Sequence, residues 1–185
     1  VALVRARTLS DAAKSLGASG SVNVGLATGQ GVDLVGFEAG GRHTTSLLVD
    51  GDYPAVRRLF PDESPIHAVV NTQLLADAAK RVALVAERNT PIRLTCSDGQ
   101  VVLDAGQGDA AQASEALEAT LVGDDIAVAF NPQFLLDGLG ALTTSFVRLS
   151  FTHPNKPVEF TGQESLEGED LKEYRYPLVP PRFAS

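Results

Sequence analysis

Methionine is missing from these 185 residues, cysteine occurs once, and aromatic residues make up only 6%. The lone Cys96 excludes an intrachain disulfide and a cysteine metal cluster. It ends the apolar run Ile92-Arg93-Leu94-Thr95-Cys96, where a small buried hydrophobe is expected rather than a nucleophile. His43, His67 and His153 are scattered with no HExxH or similar spacing, so no metal and no other cofactor is expected. No apolar run approaches the roughly 20 residues that cross a bilayer, and the N-terminus lacks the order of a signal peptide. A cytoplasmic protein without a membrane partner is therefore expected. Walker, GxGxxG and GxSxG motifs are absent, and the acids do not pair as general acid and base, so no catalytic residue is assigned.

Bases are in short supply too. Fifteen Lys and Arg against 23 Asp and Glu leave a net charge of -8, which alone speaks against phosphate binding. Their distribution speaks the other way. Between Val4 and Leu16, Arg5, Arg7 and Lys14 face only Asp11; between Thr72 and Arg88, Lys80, Arg81 and Arg88 face Asp77 and Glu87. Much of the acid is gathered between Glu164 and Glu173, in what reads as a solvated loop.

What is present is ordinary globular material, 44% hydrophobic and 21% charged, enough to bury a core in one domain or one and a half. It is also repetitive. An amphipathic helix, an alternating strand, a turn and a second alternating strand occur three times. Leu9, Asp11 and Leu16 match Leu135, Asp137 and Leu142 at a constant offset of 126 residues. The first strands are Val22-Asn23-Val24-Gly25-Leu26, Ile92 to Cys96, and Val147-Arg148-Leu149-Ser150-Phe151. The second strands contain Val32-Asp33-Leu34, Val101-Val102-Leu103 and Val158-Glu159-Phe160, after the turns Gly29-Gln30-Gly31, Ser97-Asp98-Gly99 and Pro154-Asn155-Lys156. A further strand per unit is clearest from Thr44 to Val49. The predicted fold is α+β, in tandem units of a helix followed by three antiparallel strands.

The second and third units, 66–185, pair into one domain of two helices against sheet, leaving 1–61 as half of another domain. The residues 62–65, within Phe60-Pro61-Asp62-Glu63-Ser64-Pro65, have a linker's composition. Asn131-Pro132 supplies an N-cap and a first-turn proline, and Gly17 a helix end. From Thr72 to Arg88, Leu74, Leu75, Ala78, Ala79, Val82 and Val85 form an apolar stripe, with Gln73, Asp77, Lys80, Arg81 and Arg88 broadly opposite. Repeated units curving into an arc would line such helices along one basic inner face able to track phosphates without reading bases.

Several segments resemble the bacterial sliding clamps, the beta subunits of DNA polymerase III, over essentially the whole chain. Leu48-Val49-Asp50-Gly51-Asp52-Tyr53-Pro54 and Arg57-Arg58-Leu59-Phe60-Pro61 resemble the signature closing that family's second domain. Residues 129–137 resemble a pore helix of its third domain, 157–160 the strand that follows, and 80–88 that domain's first helix.

The resemblance implies a DNA-clamp fold, helices on a concave face and sheets on a convex one, in the C-terminal half of a three-domain subunit: residues 1–61 are then the second half of domain 2, and 66–185 domain 3. A start at Val1 with no methionine also suggests a fragment. It further implies a processivity factor, not an enzyme, that encircles duplex DNA as a homodimeric ring in the full-length protein. Arg5, Arg7, Lys14, Lys80, Arg81 and Arg88 would face the DNA. DNA polymerase, clamp loader and repair proteins would dock through short peptides in a groove formed by Pro54, Arg58, Leu59, Asn131, Phe134, Asn155, Pro177, Val179, Pro180, Pro181 and Arg182. Peptide antibiotics are a further expected occupant. The family usually ends Tyr-Leu-Leu-Met-Pro-Val/Met-Arg-Leu, whereas this chain reads Tyr176-Pro177-Leu178-Val179-Pro180-Pro181-Arg182-Phe183, so altered ligand selectivity is expected. The alternative is a free-standing clamp-like adaptor or decoy that binds such peptides or an antibiotic without encircling DNA.

Overall fold

The structure, a computed structural model, describes residues 2–17, 20–29, 31–61, 63–86, 90–106 and 111–181. Asp62 of the expected linker and two expected site residues, Arg88 and Arg182, lie outside them. The chain forms two compact units, Val1–Ala55 and Val56–Ser185. The division falls ahead of the expected linker at 62–65, because a 3-10 turn, Val56–Leu59, belongs with the second unit.

In the first unit, helix α1 (Ala6–Leu16) precedes an antiparallel sheet of β1 (Asn23–Ala27), β2 (Leu34–Ala39) and β3 (Arg42–Leu47), in that order. The helix ends at Gly17 (φ 66), and the Arg42 guanidinium donates to the Ser15 carbonyl at 2.6 Å, a cation at the negative end of the helix. Ala12 and Leu16 meet Val35, Phe37 and Ala39 in a small core. Two expectations fail here. The stretch Val32-Asp33-Leu34 is not a strand: β2 starts at Leu34, and Val32 stands exposed in the turn before it. Alternation in β1 does not produce a buried face, since the strand is exposed throughout, Val24 and Leu26 included. Among the described residues it pairs only with β2.

The second unit is built twice over. Strand β4 (Ile66–Asn71) runs into α2 (Thr72–Ala83), then β5 (Ile92–Ser97), β6 (Gln100–Ala105) and β7 (Ala113–Val122). Next, β8 (Ile126–Phe130) runs into α3 (Pro132–Gly140), then β9 (Phe146–Phe151), β10 (Val158–Gln163) and β11 (Leu171–Leu178). The eight strands form one sheet, ordered β11-β10-β9-β4-β7-β6-β5-β8. The strand before each helix crosses to the other half: β4 pairs with β9, and β8 with β5. Local periodicity predicts neither crossing strand, and Ala129 and Phe130, expected at the head of a helix, lie in β8.

Both helices and the sheet close one core, in which Phe130, Phe151, Phe160, Leu75 and Leu135 are fully buried. Cys96 is buried within it. Helix α2 stops at Ala83, earlier than the stripe to Val85 implies, and Leu84 is exposed. Leu74 does not belong to the buried stripe and is 56% exposed. The acidic segment is only partly loop, since β11 begins at Leu171; before it, the buried Gln163 amide donates to the Leu166 and Gly168 carbonyls at 3.2 and 2.7 Å. Asp98 (φ 49) and Gly99 (φ 73) make the left-handed turn that joins β5 to β6 with matching twist.

Candidate functional site

Two asparagines start the two helices of the second unit. The Asn131 carboxamide oxygen accepts from the Gln133 and Phe134 amides at 2.9 and 3.4 Å, and that of Asn71 accepts from the Leu74 amide at 3.0 Å. Each satisfies donors that the first helical turn leaves open. Behind each cap a glutamine reaches along the helix to an aspartate: Gln133 to Asp137 at 2.8 Å and Gln73 to Asp77 at 2.9 Å. The whole pattern repeats at an offset of 60 residues. Asn131, expected in a binding groove, therefore acts locally by fixing the turn that carries Phe134.

Phe134 is 52% exposed, and its carbonyl accepts from the Tyr176 hydroxyl at 3.1 Å. That bond ties α3 to β11. Tyr176 belongs to an aromatic chain, edge-on to Phe160 at 6.1 Å and stacked on Tyr174 at 6.5 Å, while Phe160 meets Phe130 edge-on at 5.8 Å. Burial pushes the Tyr176 phenol above its ordinary pKa, with the Asp137 charge adding to it. Sequence reasoning misses Tyr174, Tyr176 and Gly138; their only signal is aromatic content in a polar strand and a glycine inside a helix.

Just past Tyr176, Pro177 is half-buried and pairs with Glu159, and the buried Leu178 pairs with Val158. This register brings the exposed β9–β10 turn, with Asn155, beside residues 179–181. There Val179 is exposed, Pro180 buried and Pro181 half-buried. The Asn155 amide donates to His153 Nδ1 at 3.2 Å. The Tyr176 bond thus links Asn131 and Phe134 to β11, and the β10–β11 register sets Asn155 near the residues that follow Leu178.

Arg58 and Leu59 lie on the 3-10 turn, Arg58 exposed and Leu59 half-buried. The next residue holds that turn to the sheet: the Arg175 guanidinium sits 4.2 Å from the Phe60 ring centroid and also pairs with Glu159. Pro54, exposed, is in the first unit.

The expected DNA-facing cations differ in their surroundings. Arg5, Arg7 and Lys14 are exposed on or just before α1, and among the described residues only Arg7 of the three pairs with an acid, Asp11 at 3.9 Å. Lys80 and Arg81 are exposed on α2, but Lys80 pairs with Asp77 at 3.1 Å, and Arg81 makes two 2.6 Å hydrogen bonds to Glu115 on β7. The guanidinium holds the Glu115 carboxyl below the usual carboxylate range. The Gln73 amide and then Lys80 do the same for Asp77. Much of the positive charge of α2 is thus answered locally. Among the described residues, no group of three His, Cys, Asp or Glu is placed to hold a metal, and no helix is long and apolar enough to cross a membrane.

Known proteins give this geometry a context. The family described as DNA polymerase III beta subunit, C-terminal domain, matches residues 57–172. The beta sliding clamp of Streptomyces coelicolor is 47% identical over 185 residues, all of this chain and 49% of that protein. The crystal structure of the Caulobacter crescentus beta sliding clamp superposes with TM-score 0.81 at 25% identity, covering 98% of this chain and 47% of that one. A Pseudomonas aeruginosa sliding clamp solved with griselimycin bound superposes with TM-score 0.73 at 27% identity, covering 86% of this chain and 42% of that one. The chain spans about half the length of the relatives it matches.

Proposed function

Because this chain belongs to the DNA polymerase III beta subunit family and has the DNA-clamp fold, we propose that it is the C-terminal half of a sliding clamp that encircles duplex DNA and tethers replication and repair proteins. The carrying observation is 47% identity to a beta sliding clamp along the full length of the chain. Residues 56–185 act as the third domain and 1–55 as half of the second. The first unit supports that assignment. In the second unit every strand that follows a helix has two neighbours, β5 between β6 and β8, β9 between β10 and β4. Their counterpart β1 has one among the described residues, and its apolar side chains are exposed. A crossing strand and a facing half-domain are what such an edge lacks. A free-standing adaptor would leave this edge open, so the ring subunit is preferred.

Topology, not tight contact, holds such a ring on DNA, and no catalytic group is required of it. The α1 cations and Lys80 and Arg81 face the phosphates. The partner groove is the cluster around Phe134: an exposed ring fixed by the Asn131 cap and the Tyr176 hydroxyl, with Val179, the prolines of 177–181, Arg58 and Leu59 of the same unit as its further members. An apolar anchor of a short peptide supplies most of the affinity at such a place. The griselimycin-bound relative supports a peptide antibiotic as another occupant.

Two measurements test this. The parent protein loaded on nicked circular duplex should resist a salt wash and be released when the circle is linearised; equal retention on both forms would refute encirclement. Griselimycin titrated into the 185-residue chain should bind saturably and lose affinity on Phe134→Ala; unchanged affinity would move the groove elsewhere.

A further inference from the structure

Leu74 and Phe134 occupy equivalent places in the two halves of the second unit. Each is the third residue past its asparagine cap, and the two are 56% and 52% exposed. Beside Leu74 lies a groove of about 700 Å³ with no part in the function proposed above. Its apolar wall is Leu74 with Leu117, Phe146 and Leu166; its charged members are Asp98 and Glu118, and among the described residues no basic side chain lines it. Neither acid has an ion pair among the described residues. The groove lies where β7 exchanges partners, from Gln100↔Glu118 with β6 to Val70↔Ala119 with β4. Along the groove β7 is paired on one edge at a time, with β6 up to Glu118 and with β4 from Ala119.

We propose that this groove is a second docking site, which takes a short basic peptide with its apolar anchor against Leu74 and a Lys or Arg between Asp98 and Glu118. Complementary charge selects the occupant. Its counterpart around Phe134 has Asn155 and Lys156 in the turn equivalent to Asp98 and Gly99, and the uncharged Val179 where β7 has Glu118. The two places differ in charge, so they select different peptides. The groove follows β7 from Ala116 to Thr120, a run of roughly 17 Å, which suits a peptide of about five residues. Nothing in this requires the Phe134 groove to bind anything.

The test is fluorescence anisotropy on the 185-residue chain with a labelled Lys-Leu-Ser-Leu-Arg amide and its Glu-Leu-Ser-Leu-Glu analogue. The basic probe should saturate and weaken as salt rises, and the acidic one should not bind. Leu74→Ser should lower affinity about tenfold, as loss of an apolar anchor does. Glu118→Gln should lower it several-fold and flatten the salt dependence, and Phe134→Ser should leave it unchanged. Circular dichroism melts establish that the variants fold, and the Gly99 and Thr120 amide resonances should shift on titration. Equal binding of both probes, loss on Phe134→Ser but not Leu74→Ser, or no saturation at millimolar probe would overturn the proposal. So would self-association of the chain abolished by Leu74→Ser, which would make a second copy the occupant.

Discussion

The Tyr176 ring lies so close against Gly138 that a Cβ on that glycine would stand 2.6 Å from two ring carbons. The glycine inside α3 is therefore a contact surface, and the same approach lets the Tyr176 hydroxyl reach the Phe134 carbonyl. Ala78 is its counterpart in α2.

Gly138→Ala should pit the helix-favouring methyl against the ring and lose. A destabilisation of about 1–3 kcal/mol is expected, the usual cost of overpacking. Urea denaturation measures it, and griselimycin affinity should fall with it because Phe134 is repositioned. An alanine variant more stable than the parent would show that the ring moves aside freely.

Arg175 lies between Phe60 and Glu159, and Glu159 is only 8% exposed. Arg175→Ala strands that carboxylate and frees the turn bearing Arg58 and Leu59. A loss of about 1–3 kcal/mol is expected, reduced from fully buried pairs because Arg175 is partly solvated. The double variant Arg175→Ala with Glu159→Gln should recover part of it in denaturant titrations.

Glu115→Gln should release Arg81 without disturbing the core, since both side chains are at the surface. Affinity for duplex DNA should rise, and the slope of log affinity against log salt should steepen by about one. An unchanged slope would mean that Arg81 does not face phosphate.

The same pair predicts an acid response. Arg81 holds the Glu115 carboxyl low, so the stabilisation is present above the ordinary carboxylate pKa and disappears as pH falls through the depressed folded value. Asp77 behaves likewise, through Gln73 and then Lys80. Carboxyl resonances followed by NMR should show Glu115 titrating below ordinary glutamates, and returning to their range in Arg81→Ala.

Cys96 should be inert. Burial pushes its thiol up to about 12, so almost no thiolate exists at neutral pH. A thiol reagent such as dithionitrobenzoate should label it only after unfolding, and rapid labelling of the native chain would contradict its place in the core.

Much of the architecture is legible in residue spacing. Alternation locates β5, β6, β9 and β10, and the Asn131-Pro132 pair locates the start of α3. Helix ends are harder, since α2 ends at Ala83 although Val85 and Ala86 beyond it still pack against the core. The candidate groove is readable only by resemblance. Tyr176 escapes that reading because its role depends on Gly138, 38 residues earlier in the chain.

The sequence by itself determined the repeated unit, the faces of its helices and the caps that start them, since each depends on neighbours within a few residues. Tertiary structure alone decided that β4 and β8 cross between halves, that Arg81 answers Glu115, and that Leu74 stands outside the core it seemed built for. Those outcomes depend on which distant surfaces meet, and local periodicity is identical whether an apolar side chain finds a partner across the sheet or is left facing water.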